Sequence, residues 1–168
     1  MTEEMILRIA TPEDLKTVVS IYRNAIEVMN KNNIDQWDHL YPNEEILHND
    51  ILNNHMYLYS IDNQIAAVFV LNQDCDEEYN NGAWQYKACS YYVIHRLCVN
   101  PVFQGKGIGR KTMLMIEKLL REKDIESIRL DAFSLNPVAL GMYDKLGYKK
   151  VGEVTWRKGL FYLFEKKL

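Results

Sequence analysis

The stretch FQGKGIGR, residues 103–110, places three glycines within five positions of a chain that has only 8 glycines in 168 residues. An apolar run, VIHRLCV (residues 93–99), precedes it, and a helix-like run, KTMLMIEKLLRE (residues 111–122), follows it. Strand, glycine loop and helix in that order form an arrangement that binds phosphates. Glycine lets the backbone approach an anion and turn its N–H groups toward it, and the helix N-terminus adds partial positive charge. Lys106, Arg110 and Lys111 add formal charge beside the loop. The plainer reading is a tight turn, which needs one or two glycines and gains nothing from the lysine and arginine.

Two nucleotide motifs come close and fail. Read from Gly105, the pattern G-x-x-x-x-G-K-[ST] finds Lys111 and Thr112 but meets Arg110 where glycine is required. The pattern G-x-G-x-x-G fails at the same residue. A third pattern, Q-x-x-G-x-G, fits as Gln104, Gly107 and Gly109, after a strand that ends in Leu97, Cys98 and Val99.

The segments around the loop set the fold class. Residues 5–10 (MILRIA) read as a strand. Thr11, Pro12, Glu13 and Asp14 have helix-start chemistry, and the helix is expected to run to about Met29, with Leu15, Val18, Val19, Tyr22, Ile26 and Met29 at helical spacing. Asn43 can cap a second helix over residues 44–52. Residues 56–61 and 64–72 read as strands joined by the hairpin pair Asp62 and Asn63. After a polar, acidic excursion at residues 73–86, strands are expected over residues 89–99 and 125–133. A short helix over residues 137–146 is closed by Gly147, and the C-terminal segment reads as two strands. The order β-α-α-β-β-β-α-β-α-β-β is not the repeat of a doubly wound sheet. It predicts an α/β (α+β) fold with a mixed, largely antiparallel central sheet of about seven strands and helices on both faces, in a single domain over residues 5–168.

Composition narrows the function. A formal net charge of −3 argues against a nucleic-acid partner, since such domains carry a basic excess. No apolar run approaches the roughly 18 residues of a membrane span, and the acidic start MTEEMILRI lacks signal-peptide features, so a cytoplasmic location with no membrane partner is expected. Cys75, Cys89 and Cys98 form no CxxC pair and are expected to be reduced thiols. His39, His48, His55 and His95 form no HxxxH pair, and no metal site is expected.

The segment HRLCVNPVFQGKGIGRKTM resembles the acetyl-CoA motif of the GNAT superfamily of N-acetyltransferases, and RLDAFSLNPVALGMYDKLGYKKVG resembles the strand and helix that follow it in that family. The element order agrees, so the resemblance spans residues 5–168. It implies a GNAT-like acyl-CoA N-acyltransferase fold with acetyl-CoA as co-substrate. In such a fold Leu97, Cys98 and Val99 end a strand that splays from its neighbour at a bulge and pairs with the pantetheine arm. A backbone N–H at residue 97 or 98 then faces the thioester carbonyl. The N–H groups of Gln104, Gly105, Lys106, Gly107, Ile108, Gly109 and Arg110 would hold the pyrophosphate. Asn136 stands where the family has a cofactor-contacting asparagine, and Tyr143 where it has a catalytic tyrosine that also meets the cofactor. A core tyrosine is the plain alternative.

His95 shares strand parity with Leu97 and Val99 unless the bulge intervenes, and an unperturbed pKa near ~6.5 suits a general base. Some members of the family, among them those acetylating arylalkylamines, carry a histidine at the matching place; others use a glutamate or water chains. Glu27 is a second choice, and a histidine bonded to backbone is the bland reading. Trp37, Asp38 and Tyr41 in the loop after the first helix, with Trp84 and Tyr86 in the excursion, are candidates to bind an amine acceptor. The same aromatics would also serve to cover the edge of the core, and the excursion to form a homodimer contact. The resemblance implies a small-molecule or peptide amine as the acceptor. A non-catalytic acyl-CoA-binding sensor and a nucleotide-binding protein using the near-P-loop stand as the alternatives.

Overall fold

The computed structural model describes residues 3–168. Seven strands make one sheet in the order β1-β2-β3-β4-β5-β7-β6. They are β1 (Met5–Ile9), β2 (Met56–Ile61), β3 (Gln64–Asn72), β4 (Tyr91–Val99), β5 (Ser127–Phe133), β6 (Lys149–Trp156) and β7 (Gly159–Lys167). The helices are α1 (Leu15–Lys31), α2 (Glu44–Leu52), α3 (Ile108–Glu122) and α4 (Pro137–Lys145). The strand pairs β1–β2, β2–β3, β5–β7 and β6–β7 are antiparallel, and β4–β5 is parallel. This is the mixed, mostly antiparallel sheet expected. The chain divides into two compact units whose boundary falls inside β4 and again inside α3.

The first unit holds the described residues up to Leu71 together with Arg96–Thr112. Its strands follow from hairpin chemistry. Asp62 and Asn63 both take positive φ, 48° and 65°, which is what a two-residue type I′ turn requires at its two central positions, and the register closes Ile61 on Gln64. Its core is a cluster in which α1 contributes Val18, Val19, Ile21, Tyr22 and Ala25, α2 contributes Leu47 and Ile51, and the strands contribute Met56, Leu58, Val68, Val70 and Cys98. The first helix starts later than expected. Pro12–Asp14 form a 3-10 turn, and the α-helix proper begins at Leu15 and continues two residues past Met29. Asn43 caps α2 as anticipated, its Oδ1 accepting the Ile46 N–H at 2.9 Å.

The second unit holds Asn72–His95 and Met113–Leu168. Here β5 pairs with β7 along seven positions from Ser127↔Lys167 to Phe133↔Phe161. On its other side β5 pairs with β4 over only four, Tyr91↔Ser127 to Ile94↔Leu130. The acidic excursion packs rather than protrudes. It carries a 3-10 turn at Glu77–Asn81, and Tyr79 and Trp84 join Val93, Val154 and Leu163 in a buried cluster. Gly152 permits this docking: a Cβ there would lie 3.0 Å from Gly82 Cα and 3.1 Å from Asn81 O. The neighbouring Val151 carbonyl accepts the Ala83 N–H at 2.8 Å.

Candidate active site

In the first unit, β4 contains an arginine with left-handed backbone: Arg96 has φ 51°. For an L-residue other than glycine this costs on the order of 1–2 kcal/mol, and it persists only where the surroundings hold it. The side chain is held by a bidentate ion pair with Asp50 of α2, Nε to Oδ2 at 2.9 Å and Nη2 to Oδ1 at 2.6 Å. Its Nη1 donates to the Tyr41 hydroxyl at 3.0 Å. The Arg96 carbonyl accepts a short hydrogen bond from the hydroxyl of Tyr22, whose ring tilts against Trp37. Burial works against the guanidinium's charge, but Tyr41 and Asp50 outweigh it and the Arg96 pKa is raised. This residue also breaks the alternation of β4, so the strand parity that would link His95 to Leu97 and Val99 does not carry through it.

Beyond Arg96 come Leu97, Cys98 and Val99. Cys98 is buried in the core cluster, and burial pushes its thiol up to about 12. Asn100 then ties the end of β4 to β3, its backbone N–H donating to Ala66 O and its Nδ2 to Ile65 O, both at 2.8 Å. Pro101–Phe103 form a 3-10 turn, and the glycine loop follows. Gly105 and Gly107 have φ 78° and 72°, and a Cβ at either would meet no protein atom within 4 Å. Glycine is therefore selected at these two positions by backbone conformation and not by crowding. Gly109 lies within α3, whose first turn is closed by Lys111 N–H on Gly107 O at 3.1 Å. The N–H groups of Ile108, Gly109 and Arg110 head that helix, where no intrahelical partner is available to them. Gln104, Lys106 and Arg110 are exposed, and the Lys106 ammonium lies 5.5 Å from the Phe103 ring.

The second unit carries the titratable candidates. His95 Nε2 lies 2.8 Å from Asn72 Oδ1. Asn136 caps α4, its Oδ1 accepting the Ala139 N–H at 3.1 Å. Tyr143, two turns along the same helix, is buried, its ring edge-on to Tyr148 at 5.7 Å and tilted on Phe164 at 6.1 Å. Burial, helped by the charge of Asp131, pushes the Tyr143 phenol well above its ordinary value. Asp131 itself accepts the Tyr79 hydroxyl at 2.7 Å.

The acceptor candidates separate by burial. Trp37 is buried against Tyr22, whereas Tyr41 is exposed and meets Arg96. Trp84 is 7% exposed, and its indole N–H donates to Tyr79 O at 2.7 Å. The Arg129 guanidinium lies over both Trp84 and Tyr91, 4.4 Å and 3.9 Å from their centroids. Tyr86 is half-buried beside the Lys167 ammonium at 5.9 Å. The structure thus groups Trp37, Tyr41, Leu97–Val99 and the glycine loop in the first unit, and His95, Trp84, Tyr86, Asn136 and Tyr143 in the second. Sequence reasoning passed over Asp50, Arg96 and Asn72. One signal was present for Asp50. It occupies the i+3 position between Leu47 and Ile51, on the face of α2 that an amphipathic helix buries.

Among the described residues no group of His, Cys, Asp or Glu is arranged to hold a metal ion, and no helix is long and apolar enough to cross a membrane. The fold is that of acetyltransferases of known structure. A GNAT-family acetyltransferase from Streptococcus agalactiae 2603 superposes with a TM-score of 0.85 at 24% identity, covering 98% of this chain and 95% of that one. The PaiA N-acetyltransferase of Thermoplasma acidophilum, solved in complex with coenzyme A, superposes with a TM-score of 0.72 at 21% identity, covering 98% and 99% of the two chains. In sequence, the uncharacterized N-acetyltransferase YesJ of Bacillus subtilis (strain 168) is 24% identical over 162 residues, 95% of this chain and 88% of that protein. The model of the acetyltransferase (GNAT) family matches residues 22–148. The chain belongs to the GNAT family of acetyltransferases and is an acetyl-CoA-dependent N-acetyltransferase.

Proposed function

We propose that this chain moves an acetyl group from acetyl-CoA to the primary amine of a small molecule or peptide by direct attack of the amine on the thioester. The observation that carries the reading is the left-handed Arg96 inside β4, followed nine and eleven residues later by the two left-handed glycines that lead into α3. In this reading Leu97, Cys98 and Val99 offer their backbone to the pantetheine arm, and the amides of Gln104, Gly105, Lys106, Gly107, Ile108, Gly109 and Arg110 receive the pyrophosphate. Asn136 contacts the cofactor. The amine nitrogen attacks the carbonyl carbon, and the C–N bond forms as the C–S bond breaks. A backbone N–H at Leu97 or Cys98 stabilises the oxyanion, an interaction of this kind being worth about 3–4 kcal/mol. His95 removes the proton from the amine, and Tyr143 protonates the departing thiolate. Burial keeps the Tyr143 phenol in its donor form across the neutral range, and the same shift makes it a weaker acid toward the thiolate. Trp37, Tyr41, Trp84 and Tyr86 are assigned to acceptor binding, with Tyr41 best supported by its exposure. Residues 5–168 act as one catalytic domain, in the cytoplasm, without nucleic acid, membrane or metal, and the excursion is the place for a homodimer contact.

The test is a panel of primary amines with acetyl-CoA, reading free CoA, beside calorimetry with acetyl-CoA and with Mg-ATP. Amine-dependent CoA release with acetyl-CoA binding is expected. Binding of acetyl-CoA with no release on any amine supports the sensor, and magnesium-dependent ATP binding supports the nucleotide reading.

A further inference from the structure

We propose that Asp50 and Tyr22 are positioning residues for acetyl transfer: acting through Arg96, they hold the left-handed backbone in β4 that sets the direction of the Leu97 N–H. The inference rests on the assignment of that N–H as an oxyanion donor. Arg96 is gripped at both ends. Asp50 takes the guanidinium with two hydrogen bonds, at 2.6 Å and 2.9 Å, and Tyr22 takes the main-chain carbonyl. The two come from different helices, α2 and α1, so the residue is fixed from two directions.

The carbonyl of Arg96 and the N–H of Leu97 belong to one peptide group. That group is planar and trans, so an oxygen held toward Tyr22 forces the Leu97 N–H to point the opposite way. A hydroxyl on α1 thereby sets the aim of an amide on β4. The ion pair serves the same end, since a left-handed backbone at a non-glycine residue relaxes unless neighbours over-determine it. Stability by itself is a weak reason for this pair. Its side chains are only 13% and 11% exposed, and a buried ion pair commonly does no better than apolar residues of the same volume.

The experiment compares kcat, KM and CoA affinity in wild type, Asp50→Asn, Tyr22→Phe, Arg96→Ala and the double variant Asp50→Asn/Arg96→Gly, with circular dichroism on each. In the single variants kcat should fall on the order of 10–100-fold, and by a larger factor than any rise in KM for acetyl-CoA or loss of CoA affinity, as misplacing one donor implies. Glycine adopts the left-handed backbone unaided, so the double variant should regain most of the kcat lost in Asp50→Asn. Tyr22→Phe keeps the ring and decides the matter should Asp50→Asn fail to fold. Folded single variants with wild-type kcat, or a double variant no faster than Asp50→Asn, overturn the clamp while leaving the transfer reading intact. A wild type that binds acetyl-CoA but acetylates nothing overturns both.

Discussion

His95 Nε2 lies 2.8 Å from Asn72 Oδ1, and that same oxygen accepts the backbone N–H of Asp74 at 3.0 Å. A backbone N–H only donates, so the shared Asn72 atom is the carbonyl oxygen. Nε2 of a neutral His95 must then carry the hydrogen, and the lone pair sits on Nδ1. Asn72 thus fixes the tautomer of a neutral His95. As the proposed base, His95 works in its neutral form, so kcat/KM should rise with pH as its imidazolium loses its proton. His95→Ala should remove that limb and lower the plateau by roughly 10²-fold. Asn72→Leu should keep the limb while lowering the plateau less. A pH–rate profile that His95→Ala leaves unaltered takes this residue out of the mechanism.

Tyr143→Phe removes one hydroxyl and leaves the ring against Tyr148 and Phe164. Its melting temperature should therefore barely move. Its kcat should fall by about 10²-fold or more, the range of a lost general acid, while CoA affinity measured by calorimetry changes little. The phenol must be protonated to donate, and burial with Asp131 raises its pKa. No alkaline decline in kcat from this residue is expected below about pH 10, the ordinary tyrosine value. A decline near neutral pH that disappears in the phenylalanine variant would contradict the environment described for Tyr143.

Local chemistry made much of the fold readable. Asp62 and Asn63 tolerate positive φ, Asn43 offers a side-chain acceptor to Ile46, and the glycines at 105 and 107 mark a left-handed turn whatever surrounds them. The loop before α3 could therefore be placed from neighbouring residues alone. Arg96 could not. Nothing local marks an arginine for left-handed backbone, and its partners lie 46 residues away at Asp50 and 74 away at Tyr22. Trp84 was obscured for a similar reason. Its setting among acids, asparagines and a glycine reads as surface, while its burial is arranged from β5 by Arg129 and from β6 by Val154. The boundary of α1 slipped because Thr11 and Pro12 begin a 3-10 turn before the α-helical ladder is established.

The two loop glycines give a separable prediction. An alanine Cβ at residue 105 or 107 meets no protein atom, so the penalty comes from the left-handed backbone alone, about 1–2 kcal/mol. Gly105→Ala and Gly107→Ala should each lower the melting temperature or shift the loop out of its turn. Where the turn is lost, CoA affinity should fall by ~10-fold or more, because several amides move together. Calorimetric titration of CoA measures this. CoA binding at wild-type strength in a variant whose loop has left the turn would detach the pyrophosphate from these amides.

Cys98 tests the burial of the strand that the reaction is proposed to use. Burial raises its thiol to about 12, whereas a cysteine in an unfolded chain titrates near ~8.5. The thiolate is the species that alkylates, so native Cys98 should resist iodoacetamide at pH 8, where the half-buried Cys75 and Cys89 react sooner. In denaturant all three should label. The same difference has a consequence for stability. Between pH 8.5 and about 12 the unfolded chain holds fewer protons at this site than the folded one, so the contribution of Cys98 to stability, full below about 8.5, is lost as pH rises. Unfolding free energies of wild type and Cys98→Ala should draw together over that range. Mass spectrometry of the labelled native protein reads the first part directly, and rapid modification of Cys98 at pH 8 would mean that β4 opens beyond Arg96 without the substrate.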